Sequence, residues 1–482
     1  MGSIVAQTFA AGCDDALMRR HHNLLSIPSA LGGPLSRGSI MRAHGAYGAV
    51  FDYYIDAANG SDANDGLTEG TAWKTWSKIT TSLLAANTTT RVLVKSGTYG
   101  EVNDSMVIDN GPSGCVLDIT CEPGVIMDGT AGSAVANTLP IYVGDNGSCT
   151  LHLRGNGLII RDYNYTTGGA SPNGIGWGGA GITVNVYDTI IDGCVDGISG
   201  HQGGHGNFYD CTVRNSIKHV FANVSASTMD AYRCSFEGTG TETSAFANDN
   251  GIAGLNRFYD CTFLPGANPS KNFQQNLCEF YRCQFGTLTQ SMNVVIDPAK
   301  AITFLMEDCF VNGRFQAYAG VTFRRSFGFM SARVRNGAGD FTVENCVFSK
   351  PASGLSNILF SNFNDGGSAR WVVKDSIFET TSVSAFMSVD ATNAGYLVGK
   401  SSQFFNNVLS GSAAYDADLI AADTGGTVIV DNVTGDANIG AANTLAMADY
   451  AFVSPSIAEG AATDDGDCGF GAGEVVAVGV PA

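Results

Sequence analysis

The chain of 482 residues is short of charge and of proline. Charged residues make up 15% of it, against about 25% in an ordinary soluble chain, so Ser, Thr, Asn and Gly must carry most of the surface. With Gly at 61 and Pro at 12, a collagen-type repeat, in which about one residue in three is Gly, is excluded. Scarce charge also excludes a coiled coil, whose heptads need charged flanks. No run approaches the roughly 18 apolar residues of a membrane span, so no membrane insertion is expected. Lys and Arg number 26 against 45 acids, a net charge of −19. That balance argues against nucleic acid as a partner, because phosphate binding needs clustered cations. A hydrophobic fraction of 44% excludes wholesale disorder.

Export signals are missing as well. No basic segment precedes an apolar core at the N-terminus, and Ala10-Ala11-Gly12-Cys13 lacks the upstream run of a lipoprotein leader. Ala6 spoils the myristoylation pattern begun by Met1-Gly2. The first 50 residues instead carry Arg19, Arg20, Arg37 and Arg42 against Asp14 and Asp15, a charge of +2 in a chain otherwise at −21. Such asymmetry marks a separate task, and residues 1–50 are expected to be an arm that anchors the chain to a partner through those arginines.

What the chain does have is a repeat. Phe208-Tyr209-Asp210-Cys211-Thr212-Val213 recurs as Ala231-Tyr232-Arg233-Cys234-Ser235-Phe236, Phe258-Tyr259-Asp260-Cys261-Thr262-Phe263 and Phe280-Tyr281-Arg282-Cys283-Gln284-Phe285. Looser copies are centred on Thr189, Cys309, Ser326, Cys346, Ser376, Asn407 and Asn432, spaced by about 24 residues. The central slot holds small residues, and the position three before it is apolar throughout. The two positions between are mostly polar, so a strand, a two-residue bend and a second strand are expected, with side-chain alternation slipping at the bend. Fixed short cores with loops of variable length, and no helical period, point to a parallel β-solenoid. The slot cysteines, six of the 13, then form a ladder of small buried thiols rather than a disulfide framework. Just before the slot, Asp210, Arg233, Asp260, Arg282, Asp308 and Arg325 alternate in sign, which predicts attraction between stacked coils.

Solenoid ends need caps. Tyr53-Tyr54-Ile55-Asp56 with Gly60-Ser61-Asp62-Ala63-Asn64-Asp65-Gly66 leads to Trp73-Lys74-Thr75-Trp76-Ser77-Lys78-Ile79, and a helix over 71–86 is expected, with Trp73, Trp76, Ile79 and Leu83 on one face. A strand over 91–99 follows. This run resembles the N-terminal cap of right-handed parallel β-helix proteins of the pectate-lyase-like superfamily, and Ser454-Pro455-Ser456-Ile457-Ala458-Glu459-Gly460 is similar to their exit segment. The resemblance implies an all-β fold, a right-handed single-stranded parallel β-helix with a short cap helix. The expected divisions are the arm at 1–50, the N-terminal cap at 51–100, the β-helix at 101–445, and the C-terminal cap and tail at 446–482. That superfamily contains secreted polysaccharide lyases and hydrolases as well as phage tailspikes and other virion appendages. The basic start, the absent signal and the thiols of a reducing compartment favour the phage kind. The expectation is a virion protein assembled in the host cytoplasm, a tailspike or fibre that binds, or depolymerises, host polysaccharide. Residues 1–50 would contact other virion proteins, and a homotrimer is implied by the resemblance alone. A non-enzymatic capsid decoration protein and a secreted lyase or glycoside hydrolase are the alternatives.

Glycoside hydrolysis needs paired carboxylates, and the candidates are Asp192, Asp196, Glu237, Glu242 and Asp249, set against the plainer reading that they are solvated loop acids. His201 and His205 are spaced as zinc ligands would be on a helix, but the glycines around them predict a turn, so neither metal nor cofactor is expected. For glycan binding or a subunit interface the candidates are Tyr163, Tyr165 and Trp177 in loop 161–181, and the strip Tyr187, Tyr209, Tyr232, Tyr259 and Tyr281.

Overall fold

In the computed structural model the described residues are 50–100, 104–130, 139–144, 147–163, 173–223, 226–238, 246–247, 254–265, 273–274, 277–287, 292–295, 303–317, 320–334, 340–349, 358–362, 371–379, 385–389, 403–405, 407–410, 428–430 and 433–435. The chain divides at Val50 and Phe51 into two units. Arg19, Arg20, Arg37 and Arg42 lie outside the described residues, as does the expected C-terminal cap.

Among the described residues, 30 strands form one continuous parallel sheet and seven form a second. A coil runs through a strand of the long sheet, turns two residues, continues in the same sheet, and crosses to the second sheet before returning. Thr183–Asp192, Asp196–His201 and His205–Tyr209 are one such circuit. The pairing is in register with the repeat: Tyr187 faces Tyr209, which faces Tyr232, then Tyr259, Tyr281 and Glu307. Crossovers between parallel strands of one sheet are right-handed in about 98% of cases. The body is a right-handed parallel β-helix. Its core is the lumen, where the residues three before the slot pile up, with Phe258 on Phe280 at 4.9 Å and, two past the slot, Phe263 on Phe285 at 4.7 Å.

The bend is sharper than alternation alone implied. The residue before the slot is left-handed in coil after coil: Asp188, Asp210, Arg233, Asp260, Arg282, Asp308, Arg325, Asn345 and Asp375 have φ between 44° and 57°. Its N–H donates to the carbonyl one residue before it on the next coil, as Arg233 does to Tyr259 and Asp260 to Tyr281. The slot side chain completes the bend. The backbone N–H of Cys211 donates to Cys234 Sγ and that of Cys234 to Cys261 Sγ, each at 3.4 Å, and Ser326 Oγ, Ser376 Oγ and Asn407 Oδ1 accept in the same way from Cys309, Cys346 and Ser376. The thiols of Cys211, Cys234, Cys261, Cys283 and Cys309 also donate to a carbonyl of the preceding coil, as Cys261 Sγ does to Ala231. The slot therefore takes Cys, Ser or Asn because it must be small and must also accept and donate. Eleven cysteines, Cys115 to Cys346, are buried and free.

At the N-terminal end the expected helix over 71–86 is replaced by three 3-10 turns, Glu69–Thr71, Trp76–Lys78 and Thr81–Leu83. Apolar residues every third position suit a three-residue turn, and hydroxyl pairs such as Thr80 with Ser82 compete with helical bonding. Trp73, Trp76, Ile79 and Leu84 are buried, and Leu83 packs against the core partly buried. Trp73 stacks on Tyr53 at 4.8 Å and closes over Gly66, whose φ of 74° and contact with the indole leave no room for a side chain. The strand expected over 91–99 is two, Thr89–Val94 and Gly97–Tyr99.

Candidate functional site

The outer face of the long sheet carries the tyrosine strip beside a polar row. Tyr187, Tyr209, Tyr232, Tyr259 and Tyr281 stack face to face, with centroids at 4.9, 4.9, 4.9 and 5.1 Å and interplanar angles of 10° or less. In-register parallel strands impose this spacing. Arg154 lies over the Tyr187 ring at 5.7 Å, and the Tyr281 hydroxyl donates to Glu279. The ring faces are consumed by one another, so the strip presents edges and hydroxyls. Burial raises all five phenols, which stay neutral at working pH. Two residues earlier on the same strands lie Asn185, Asn207, Asp230, Arg257 and Glu279. Asn207 donates to Asn185 at 3.0 Å, and Arg257 to Glu279 at 3.1 Å. His205 joins the row through Asn207 Oδ1 and Thr228 Oγ1.

Two of the candidate acids, Asp192 and Asp196, have other partners. Asp192 accepts from Arg214 Nε at 2.9 Å and from Asn215 Nδ2 at 2.7 Å. Asp196 is buried against His219 Nδ1 at 2.7 Å. Asp192 stands beside Arg214 in the sheet, and the same register carried one coil on brings Glu237 next. Asp192 and Glu237 are thus two strands apart, roughly 10 Å, with a guanidinium between them rather than a sugar. Glu242 and Asp249 lie outside the described residues.

Two aromatic candidates are corrected. Trp177 is wholly buried: it belongs to the strand Asn173–Gly178, where its indole fills the lumen over Gly204 and Gly206 and tilts against Phe208. Tyr163 is 5% exposed, and burial raises its phenol. Neither offers a face to solvent. Tyr165 lies outside the described residues. His201 and His205 flank a turn with Gln202 at φ 52° and Gly203 at φ 87°. Among the described residues, no group of three or more His, Cys, Asp or Glu is placed to hold a metal ion.

The alternating charges resolve into clamps. Arg233 grips Asp210 with bonds of 2.8 and 2.7 Å, Arg282 grips Asp260, and Arg325 grips Asp308 and also pairs with Glu307. One position earlier, Glu307, Arg324, Glu344 and Lys374 form a continuous ladder.

No protein-family profile matches the chain, and no curated protein does. Among solved structures it is similar to pectate lyase Pel9A, at 12% identity and a TM-score of 0.33 over 71% of this chain and 79% of that one. It is also similar to the GH136 lacto-N-biosidase from Eubacterium ramulus, at 11% identity and a TM-score of 0.29 over 83% of this chain and 70% of that one.

Proposed function

We propose that the chain is a virion structural protein, a tailspike- or fibre-like β-helix whose outer face binds host surface polysaccharide without cleaving it. The observation that carries this reading is the long-sheet face, where five tyrosine edges and a bonded row of Asn, His, Asp, Arg and Glu run side by side for roughly 20 Å along the axis. A polymer laid along the helix would meet the same hydrogen-bonding pattern on successive coils. The engagement of Asp192 with Arg214 and of Asp196 with His219 supports a binding role over hydrolysis. The basic 50-residue start supports attachment of the chain to other virion proteins, and a homotrimer and assembly in the host cytoplasm belong to the same proposal.

Incubation of the purified protein with host polysaccharide tests it. Retention of polymer with no new reducing ends and no unsaturated uronate is expected. Absence of binding overturns the reading, and release of either product assigns the chain to the lyases or hydrolases instead. The bonding of Asp192 to Arg214 and of Asp196 to His219 equally suits a non-enzymatic capsid decoration protein, which predicts many copies on the head of an imaged particle; a location at the tail alone excludes it.

A further inference from the structure

The polar row beside the tyrosine strip is joined by hydrogen bonds that need no charge. Asn185, then His205 and Asn207, then Thr228 stand on three consecutive coils of the long sheet, all half-buried on its outer face. Asn207 Nδ2 donates to Asn185 Oδ1 at 3.0 Å, and Asn185 Nδ2 donates to the Leu151 carbonyl at 3.3 Å. That orientation leaves Asn207 Oδ1 to accept from His205 Nε2 at 3.0 Å, and His205 Nδ1 meets the Thr228 hydroxyl at 2.6 Å. A neutral imidazole completes the chain. An amide nitrogen carries two N–H groups, and Asn185 and Asn207 each spend one here, so each keeps a second for a ligand.

The charges around this row are spent on one another. Arg154 pairs with Asp118 at 3.1 Å, Arg233 with Asp210 at 2.7 Å, Arg257 with Glu279 at 3.1 Å and Arg282 with Asp260 at 2.8 Å. Asp230 lies 3.9 Å from Arg257, and the Asp188 carboxyl feels the like charge of Asp210. An anionic polymer would have to draw a guanidinium from its carboxylate and would leave that acid unpaired beside the new charge. The net charge of −19 opposes its approach as well. A neutral sugar requires neither step, because its hydroxyls both donate and accept, as amides, imidazole and phenols do.

We infer that the polymer bound by this face is a neutral polysaccharide, held by Asn185 and Asn207 beside the edges of Tyr187 and Tyr209, and not one bearing uronate, sialate or phosphate. The assignment rests on the polysaccharide-binding reading and narrows it to a ligand class.

The test is an array of neutral and acidic microbial polysaccharides probed with the full chain, followed by titration of every retained polymer against Asn185→Ala and Asn207→Ala at low and high salt. Retention of neutral polymers alone is expected, with affinity unchanged by salt because no ion pair forms. Each variant should weaken binding by about tenfold, through loss of its amide bonds, while its urea midpoint stays near that of the parent. Two variants on neighbouring coils keep the test decisive if one of them folds poorly. Retention of an acidic polymer that falls in these variants overturns the ligand class and leaves the face standing as a polysaccharide site. Retention of a neutral polymer that is indifferent to both variants overturns the assignment to Asn185 and Asn207. Retention of no polymer overturns the polysaccharide-binding reading itself.

Discussion

Arg233 donates two hydrogen bonds to the carboxylate of Asp210 one coil earlier while its own backbone sits at φ 54°. The left-handed region costs a residue with a Cβ roughly 1–2 kcal/mol, and Arg has none of the local side-chain bonding that lets Asn and Asp tolerate it. The clamp and the strained backbone therefore oppose each other at one residue. Both side chains are about 40% exposed, which holds the ion pair to about 0.2–1 kcal/mol. Arg233→Ala should lower the urea midpoint, because it loses the pair and keeps the backbone strain. Arg233→Gly should fall much closer to the parent, because it loses both. Equal midpoints for the two variants would show that the bend carries no strain.

The slot side chain has two duties that Ser can perform and Ala cannot. Cys261→Ala leaves the backbone N–H of Cys234 without its acceptor and should destabilise by about 1–3 kcal/mol. Cys261→Ser should retain most of the stability, since Ser326 already accepts from Cys309 N–H and donates to Met306 in an equivalent coil. Chemical denaturation followed by intrinsic fluorescence distinguishes them, and matched losses would make the slot a matter of size alone.

Burial of the thiols has a separate readout. It pushes Cys194 and Cys346 up to about 12, so neither depth nor charge state favours attack. Of the 13 cysteines, only Cys13 and Cys468 lie outside the described residues. Titration of the native chain with an aromatic disulfide reagent should give at most two fast equivalents, with the remainder appearing on unfolding; three or more fast equivalents would contradict the ladder.

Asp188 opens the charged series with a like neighbour. Desolvation against the coils, and then the Asp210 carboxylate, raise its pKa. A carboxyl raised in the folded state favours folding when protonated, so that contribution fades as pH climbs through the ordinary carboxylate range. Asp188→Asn keeps a residue suited to φ 45° and removes the charge. Its Tm should exceed that of the parent at pH 7 and approach it at pH 3; a constant difference would exclude the electrostatic origin.

Asp128 behaves in the opposite sense. Burial raises it, but bonds from Thr130 and Arg161 outweigh that and hold it below the ordinary 3.8. Its contribution is complete above that value and is lost as pH falls through the lowered folded pKa. Asp128→Asn should be less stable than the parent at pH 7, and the gap should narrow in acid when thermal unfolding is followed as a function of pH.

The repeat was legible because stacking demands the same residue class at the same place in every coil. The apolar position before the bend, the small slot and the tyrosine strip are all visible in the chain from Thr189 to Cys283. The left-handed bend was not, since Arg at 233, 282 and 325 does not advertise it. Sign alternation was readable, but its resolution into separate two-coil clamps depends on which way each guanidinium leans. The second sheet was harder to see, because Asn173–Gly178 is half glycine and its one large side chain, Trp177, resembles a loop aromatic until the glycines opposite it are known. The cap misled because three-residue spacing of Trp73, Trp76 and Ile79 suits a 3-10 turn as well as a helix.

Each bend leaves one amide to be met by a side chain that has yet to be added. The want is the same after two coils or ten, so nothing within a coil counts how many have gone before. Such a body has no intrinsic length. Selection can add or delete whole coils without redesigning the interior, and the length of the body becomes a freely adjustable quantity.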